Sequence, residues 1–113
     1  MGNANWDMTN GINIGISSHR VKKKAEPCFF AVPLICNNQT FKEKLVNYLE
    51  KNNIQTRNYF AGNILCHPAY ENLGNYKEYT NANKVLTHIF FIGCPPHYDQ
   101  IIFDRIEKII KEF

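Results

Sequence analysis

Three short apolar or β-branched runs, separated by amphipathic stretches, constrain the fold of this chain most strongly. The runs cover residues 28–36, 54–60 and 88–93, and each has the length of a β-strand. Residues 40–51 and 99–113 carry apolar side chains at helical spacing among polar ones. The pattern therefore predicts the order β-α-β-loop-β-α.

Cap signals and apolar stripes indicate where the helices lie. Thr40 begins the first helix, and Glu43 three residues later completes a capping box. The apolar face of this helix comprises Phe41, Leu45, Tyr48 and Leu49. A short helix runs from Thr80 to Leu86, and the last helix begins near Asp99. The apolar stripe of the last helix comprises Ile102, Ile106, Ile109 and Phe113, and Ile101 and Ile110 widen it.

These elements predict an α+β domain in which helices pack on one face of a small, three-stranded, mostly antiparallel sheet. The other sheet face has no helix to cover it, so we expect it to pack against another body. The length of 113 residues suits one domain. We expect residues 1–26 to form a weakly ordered arm and residues 27–113 to form the domain. The polar loop at residues 61–79 is of a length that usually carries function.

Composition and charge argue against several classes of protein. The formal net charge of +3 is small for a nucleic-acid binder. No apolar run approaches the roughly 20 residues that span a bilayer, and no signal-peptide pattern opens the chain. The four cysteines form no CxxC pair. We therefore expect a cytoplasmic protein with reduced thiols and with neither a nucleic-acid nor a membrane partner.

The candidate site follows the second predicted strand. A turn is easily formed at Ala61-Gly62-Asn63, and polar and aromatic side chains come after it. A strand followed by a turn places such side chains at the end of a rigid element. The candidate substrate-binding residues are Arg57, Phe60, Asn63, His67 and Tyr70.

Each candidate residue also has a structural interpretation. Arg57 would bind phosphate oxygens through its guanidinium fork, or pair with a surface glutamate. Asn63 would bind a ligand hydroxyl, or stabilise the turn. His67 would move a proton or contact the ligand, or else pack within the loop. Phe60 would form an apolar wall for the ligand or the core, and Tyr70 would pack under the loop with its hydroxyl at the rim.

Three other chemistries have weaker support. A zinc site lacks the usual paired short spacings, although its ligands would be Cys66, His67, His88, Cys94 and His97. A thiol nucleophile at Cys94 with His97 as its base lacks a third orienting group. An RNA-binding module lacks the glycine-containing aromatic signature, although its stacking residues would be Phe29, Tyr59 and Phe90.

Three ordered blocks carry a family resemblance. The first is FFAVPL at residues 29–34. The second joins Thr56-Arg57 to FAGN at residues 60–63 and HPAY at residues 67–70. The third covers residues 81–93 and ends in FFIG. At this spacing, from Cys28 to Phe113, the chain resembles the C-terminal small domain of the DegT/DnrJ family of sugar-nucleotide aminotransferases and dehydratases. It resembles most closely the CDP- or GDP-4-keto-6-deoxysugar 3-dehydratases.

The resemblance implies a function for the intact enzyme. Such enzymes use pyridoxal or pyridoxamine phosphate (PLP or PMP), held by a large N-terminal domain, and work as dimers. Their small domain closes over the sugar nucleotide, and their products enter deoxysugar and lipopolysaccharide O-antigen synthesis. The resemblance therefore implies a substrate-binding role for this chain and no catalytic residue within it.

The resemblance also sets the expected partners. The large cofactor domain has no counterpart before Cys28, and Lys22, Lys23 and Lys24 lie in a polar run unsuited to a Schiff base. We therefore expect a chain that binds no cofactor and has no activity alone, and that works with a large cofactor-binding domain or subunit. The alternative is a non-catalytic protein-interaction module derived from the same domain.

Overall fold

The computed structural model describes residues 16–17 and 22–113. In this part of the chain the strands are β1 (Ile16–Ser17), β2 (Ala31–Cys36), β3 (Thr56–Asn58) and β4 (Ile89–Gly93). The α-helices are α1 (Gln39–Lys51), α2 (Thr80–His88) and α3 (Gln100–Lys111). Between β3 and α2 the loop contains three single-turn 3₁₀-helices at Ile64–Cys66, Glu71–Leu73 and Tyr76–Glu78.

The sheet is antiparallel, with strand order β1-β2-β4-β3. Strand β4 lies between β2 and β3, with Leu34 opposite Phe90 and Arg57 opposite Phe91. The predicted α+β arrangement with three antiparallel strands is confirmed by β2, β4 and β3. The two-residue β1 extends the sheet beyond β2, where Ile16 pairs with Cys36.

The core lies on one face of the sheet, under α1 and α3. Leu34 and Phe90 lie opposite each other on neighbouring strands, so their side chains project from the same face of the sheet, which is the inner face. Both are fully buried against helical residues. The buried cluster comprises Leu34, Cys36, Leu45, Leu49, Ile54, Phe90, Ile92, Ile106, Ile109 and Ile110. The predicted packing of helices on one sheet face is thus confirmed for α1 and α3.

The first helix begins earlier than its capping signal predicted. Asn38 caps α1, because its Oδ1 accepts the backbone N–H of Phe41 at 2.8 Å. The predicted cap at Thr40 is wrong. Asn38, two residues upstream, instead accepts a hydrogen bond from one of the unpaired backbone N–H groups of the first helical turn. The predicted start of the last helix near Asp99 is confirmed, because α3 begins at Gln100 and Asp99 Oδ1 accepts a hydrogen bond from the N–H of Ile102 at 3.0 Å.

Tertiary packing changes the limits of other elements. The second strand was predicted over residues 54–60 but covers only Thr56–Asn58, because Ile54 is buried in the core before the ladder begins. Helix α2 continues to His88, past the predicted end at Leu86. In α3 the apolar stripe was predicted to extend to Ile101, but this side chain is 77% exposed and lies outside the core.

The predicted arm at residues 1–26 lies largely outside the described residues. Residues 1–15 and 18–21 are not described, so the division at residues 26 and 27 stays a prediction. Within the described part, no helix is both long enough and apolar enough to cross a membrane.

Replacing Leu49 with alanine tests the core. Leu49 has no exposed surface and packs within the cluster between α1 and the sheet. Leu49→Ala should lower the free energy of unfolding by about 2–5 kcal/mol, measured by urea denaturation, because it leaves a cavity. Leu73→Ala, at a side chain that is 76% exposed, is the matched control and should change it by less than about 0.5 kcal/mol. Equal losses in the two variants would contradict this packing.

Candidate functional site

Four aromatic rings cluster on the outer face of the sheet, opposite the helices. We call Phe30, Tyr59, Phe60 and Phe91 the outer-face cluster. The Phe91 ring centroid lies 6.0 Å from that of Phe30, 6.3 Å from Tyr59 and 5.9 Å from Phe60. Phe30 and Phe60 are 64% and 66% exposed. Phe91 therefore anchors two rings that remain open to solvent.

Arg57 lies beside this cluster. It pairs with Phe91 across β3 and β4, so both side chains project from the outer face. Its exposed guanidinium makes no hydrogen bond or ion pair with the described residues. The alternative of a glutamate pair is not realised as a salt bridge in this part of the chain. Glu50 Oε1 instead accepts hydrogen bonds from the backbone N–H of Thr56 at 2.7 Å and from its Oγ1 hydroxyl at 2.9 Å.

These bonds also determine the ionisation of Glu50. The backbone and hydroxyl hydrogen bonds from Thr56 lower the pKa of this carboxyl, and the nearby charge of Arg57 lowers it further. The charge of Arg57 is therefore only partly balanced by an exposed carboxylate that is already hydrogen-bonded elsewhere. The guanidinium is available to an anion.

A tight turn sets the direction of Phe60. The N–H of Gly62 donates to the carbonyl of Tyr59 at 3.2 Å, and Phe60 has a φ of 53°. A positive φ is unusual for a bulky residue. Gly62 has a φ of 65°, and a Cβ there would lie 2.8 Å from the Cβ of Leu86. The turn therefore packs tightly on α2 and leaves Phe60 pointing outward.

Asn63 is buried, with 2% of its surface exposed. Its Oδ1 accepts the N–H of Leu65 at 3.0 Å. Its Nδ2 donates to Asn83 Oδ1 at 2.7 Å and to the carbonyl of Tyr76 at 3.2 Å. Asn63 therefore links two parts of the loop, at Leu65 and Tyr76, to Asn83 of α2, which gives it a structural role. Its predicted contact with a sugar stays untested.

The other two candidates lie further along the loop and are exposed. The Nε2 of His67 is 3.2 Å from the carbonyl oxygen of Ala61, and Tyr70 is 44% exposed. Of the five candidates, the structure brings Phe60 and Asn63 into the lining of one open pocket of about 510 Å³. We call this the loop pocket, and it lies between the turn and α2 with Ile64, Leu73, Tyr79 and Val85 among its lining residues.

Sequence reasoning missed Lys42, which is 8% exposed. Its Nζ donates to the carbonyl of Leu86 at 2.9 Å and to Asn58 Oδ1 at 3.3 Å, so it joins α1 to α2 and β3. Burial lowers the pKa of this amine. The sequence contained a sign of this burial, because Lys42 lies three residues before Leu45 and seven before Leu49, on the same helical face as these apolar residues.

The cysteines fall into two classes. Cys28 and Cys66 are exposed, whereas Cys36 and Cys94 are buried. Burial raises the pKa of the Cys36 thiol to about 11, although the charge of Lys42 opposes this, and burial also raises the pKa of Cys94. A raised pKa disfavours the thiolate, so it does not support a nucleophile at Cys94. Within residues 22–113, no three metal-binding side chains lie together.

The RNA-binding alternative loses one of its proposed stacking residues. Phe90 is 1% exposed, because the alternation along β4 turns it toward the helices. Tyr59 lies after the end of β3, not within it. The rings that are exposed in this region are Phe30 and Phe60.

Comparison with known proteins identifies the family. The model of the DegT/DnrJ/EryC1/StrS aminotransferase family matches residues 11–113. The chain belongs to this family. The family match begins ahead of Cys28, where the resemblance of the sequence blocks began, and so includes part of the predicted arm and β1.

Two curated relatives support this assignment. The "dTDP-4-dehydro-2,6-dideoxy-D-glucose 3-dehydratase" of Saccharopolyspora spinosa is 34% identical over 87 residues, which cover 74% of this chain and 19% of the relative. The "Lipopolysaccharide biosynthesis protein RfbH" of Salmonella typhimurium is 28% identical over 96 residues, covering 80% of this chain and 22% of the relative. The chain thus spans about a fifth of the length of these DegT/DnrJ relatives.

The cofactor implied by the DegT/DnrJ resemblance finds no free lysine in a desolvated pocket among the described residues. A Schiff-base lysine requires an amine that faces the cofactor from a desolvated pocket. Lys42 is the buried lysine of residues 22–113, and two protein oxygens already accept hydrogen bonds from its Nζ. Lys42 therefore holds α2 in place and does not fit the role of a Schiff-base lysine.

Adding a side chain at Gly62 tests how the turn is held. Gly62→Ala should lower the free energy of unfolding by at least about 1 kcal/mol, since alanine is strained at positive φ and its Cβ would meet Leu86. Gly93→Ala is the matched control, because the nearest atom to its added Cβ is 3.9 Å away. Thermal or urea unfolding of both variants is the measurement. A Gly62→Ala variant as stable as the Gly93→Ala variant would contradict the tight packing.

Proposed function

We propose that this chain is the substrate-binding small domain of a sugar-nucleotide dehydratase or aminotransferase of deoxysugar and lipopolysaccharide O-antigen biosynthesis. The observation that carries the proposal is the family match over residues 11–113. The 34% identity to a sugar 3-dehydratase supports dehydration. In the intact enzyme, which we propose to be a cytoplasmic homodimer, the domain binds and orients the sugar nucleotide.

The exposed candidates have distinct roles in this proposal. The guanidinium of Arg57 binds phosphate oxygens, for which its planar fork is suited and which would balance its charge. Phe60 provides an apolar wall beside the substrate, and the exposed His67 and Tyr70 contact its sugar hydroxyls. Asn63 acts indirectly by holding the loop on α2, as its three hydrogen bonds indicate.

The domain contributes binding, and the chemistry comes from elsewhere. We propose that PLP or PMP is held by a large cofactor domain or subunit, outside residues 22–113. When bound, that group supplies an electron sink for breaking bonds next to a keto carbon. The residues of this chain fix the substrate against it, which lowers the entropic part of the barrier. The chain alone is therefore proposed to have no activity.

A second candidate function is a protein-interaction module without a catalytic role. It is favoured by the exposed apolar side chains around the loop pocket. Ile64 is 49% exposed, Leu73 76% and Tyr79 54%. Clustered exposed apolar residues are typical of surfaces that bind another protein.

A chimeric enzyme tests the first proposal. This chain would replace the matching segment of the Saccharopolyspora spinosa 3-dehydratase, and consumption of dTDP-4-dehydro-2,6-dideoxy-D-glucose would be measured. We expect the chimera to retain activity and the Arg57→Ala chimera to lose at least about tenfold in kcat/KM, as for a charge-assisted phosphate contact. An Arg105→Ala chimera is the control, since Arg105 donates to the carbonyl of Asn52. A folded, cofactor-loaded chimera without turnover would contradict the proposal.

Sedimentation of the isolated chain tests the interaction module. The enzyme-domain proposal expects a monomer over a range of concentrations, whereas an interaction module that pairs through the loop pocket would form a dimer. Leu73→Asp should dissociate that dimer, because it places a charge in an apolar contact. Glu78→Lys, at an exposed charge in the same loop, is the control. A monomer in every sample would exclude self-association as the function.

A further inference from the structure

The outer-face cluster combines features that a purely structural surface does not require. Phe60 holds a bulky side chain at a φ of 53°, and its ring is 66% exposed. A glycine would adopt this conformation without strain, and little of the ring's apolar surface is buried in return. Backbone strain that the fold does not need is found most often at ligand-binding positions.

The cluster presents its rings in a rigid arrangement. Phe30 meets Phe60 edge-on, with centroids 6.2 Å apart and an interplanar angle of 65°. The Phe60 ring also packs on Phe91, with centroids 5.9 Å apart. Tyr59 meets the Phe60 ring edge-on, with centroids 5.2 Å apart. The neighbours that fix the Phe60 ring thus leave most of it exposed. A fixed, exposed ring is a stacking platform for a nucleobase of any sequence, since every base has a π face.

A cation lies next to these rings. Arg57 is the cross-strand partner of Phe91, the residue against which Phe60 packs. Arg57 and Phe60 are thus both neighbours of the Phe91 ring on the outer face. The guanidinium has no hydrogen-bond or ion-pair partner among the described residues. An apolar protein surface packed here would bury an unpaired charge, at high cost, whereas a diphosphate would neutralise it.

We propose that the outer-face cluster and Arg57 form a subsite for a nucleoside diphosphate. The base stacks on Phe60, with Phe30 beside it, and the diphosphate binds Arg57. The inference rests on the proposed function, because it names where the nucleotide part of the substrate lies. It also limits specificity, since stacking accepts dTDP, CDP and GDP alike. Selection among these nucleotides must then come from contacts elsewhere in the intact enzyme.

Titration of the full 113-residue chain by NMR tests the subsite. The ¹⁵N-labelled chain would be titrated with dTDP, CDP, GDP, thymidine and inorganic pyrophosphate. All three nucleotides should shift the amide signals of Phe30, Arg57 and Phe60, with dissociation constants within about fivefold of each other. Thymidine should shift mainly the aromatic positions, and pyrophosphate mainly Arg57. These separate responses would assign the base and the diphosphate to their parts of the site.

Variants separate stacking from structural effects. Phe60→Ala and Phe60→Asn should weaken dTDP binding about tenfold, as expected for one lost stacking contact. Asparagine tolerates the left-handed conformation, so that variant keeps the turn if alanine does not. Phe60→Tyr keeps the ring and should bind within about twofold of the original. Ile101→Ala is the control. Ile101 is an exposed residue of α3, which lies on the opposite side of the sheet from the outer-face cluster, so this variant should not alter binding.

The outcomes distinguish this subsite from the wider proposal. Nucleotide shifts confined to the loop around His67 and Tyr70 would overturn the subsite and leave the enzyme-domain proposal intact. The absence of nucleotide binding, or a dimer that buries Phe30 and Phe60, would also overturn the subsite. An active chimera would still support the domain proposal in these cases. Conversely, an inactive chimera with the predicted nucleotide shifts would overturn the domain proposal alone.

Discussion

The alternation of side chains along β4 is the constraint on which the rest of this structure depends. Phe90 and Ile92 turn inward and are each 1% exposed, so they join the helices to the sheet. Phe91 lies between them in sequence and must therefore face outward. Because β4 is bordered by β2 and β3, Phe91 has room for aromatic neighbours from both sides. One strand thus supplies both the core and the support of the candidate site.

The site turn is held by contacts that lie far from it in sequence. Gly62 packs on Leu86, whose carbonyl also accepts a hydrogen bond from Lys42. Asn63 adds hydrogen bonds to Tyr76 and Asn83. Helix α2 therefore fixes the turn from one side while α1 fixes α2. This arrangement explains how an exposed phenylalanine can keep an unfavourable backbone conformation, since contacts of the neighbouring residues hold the turn in place.

Membership of the DegT/DnrJ/EryC1/StrS aminotransferase family gives this arrangement a biochemical context. The described residues place a cation and exposed rings on the surface, and they hold their buried lysine in a structural contact. Such a surface binds and orients a ligand more readily than it transforms one. In the proposed function, this chain recognises the substrate and the rest of an intact enzyme carries the reaction.

Local patterns in the sequence determined the order of β2, α1, β3, α2, β4 and α3, the helix start after Asp99 and the strand-turn block that carries Arg57 and Phe60, because periodicity and capping act over a few residues. Only the tertiary structure decided that Ile101 is exposed, that Lys42 is buried and that Asn63 binds residues of the loop and α2. Those outcomes depend on which surfaces meet after folding. A residue's neighbours along the chain do not specify its neighbours across a sheet or between helices.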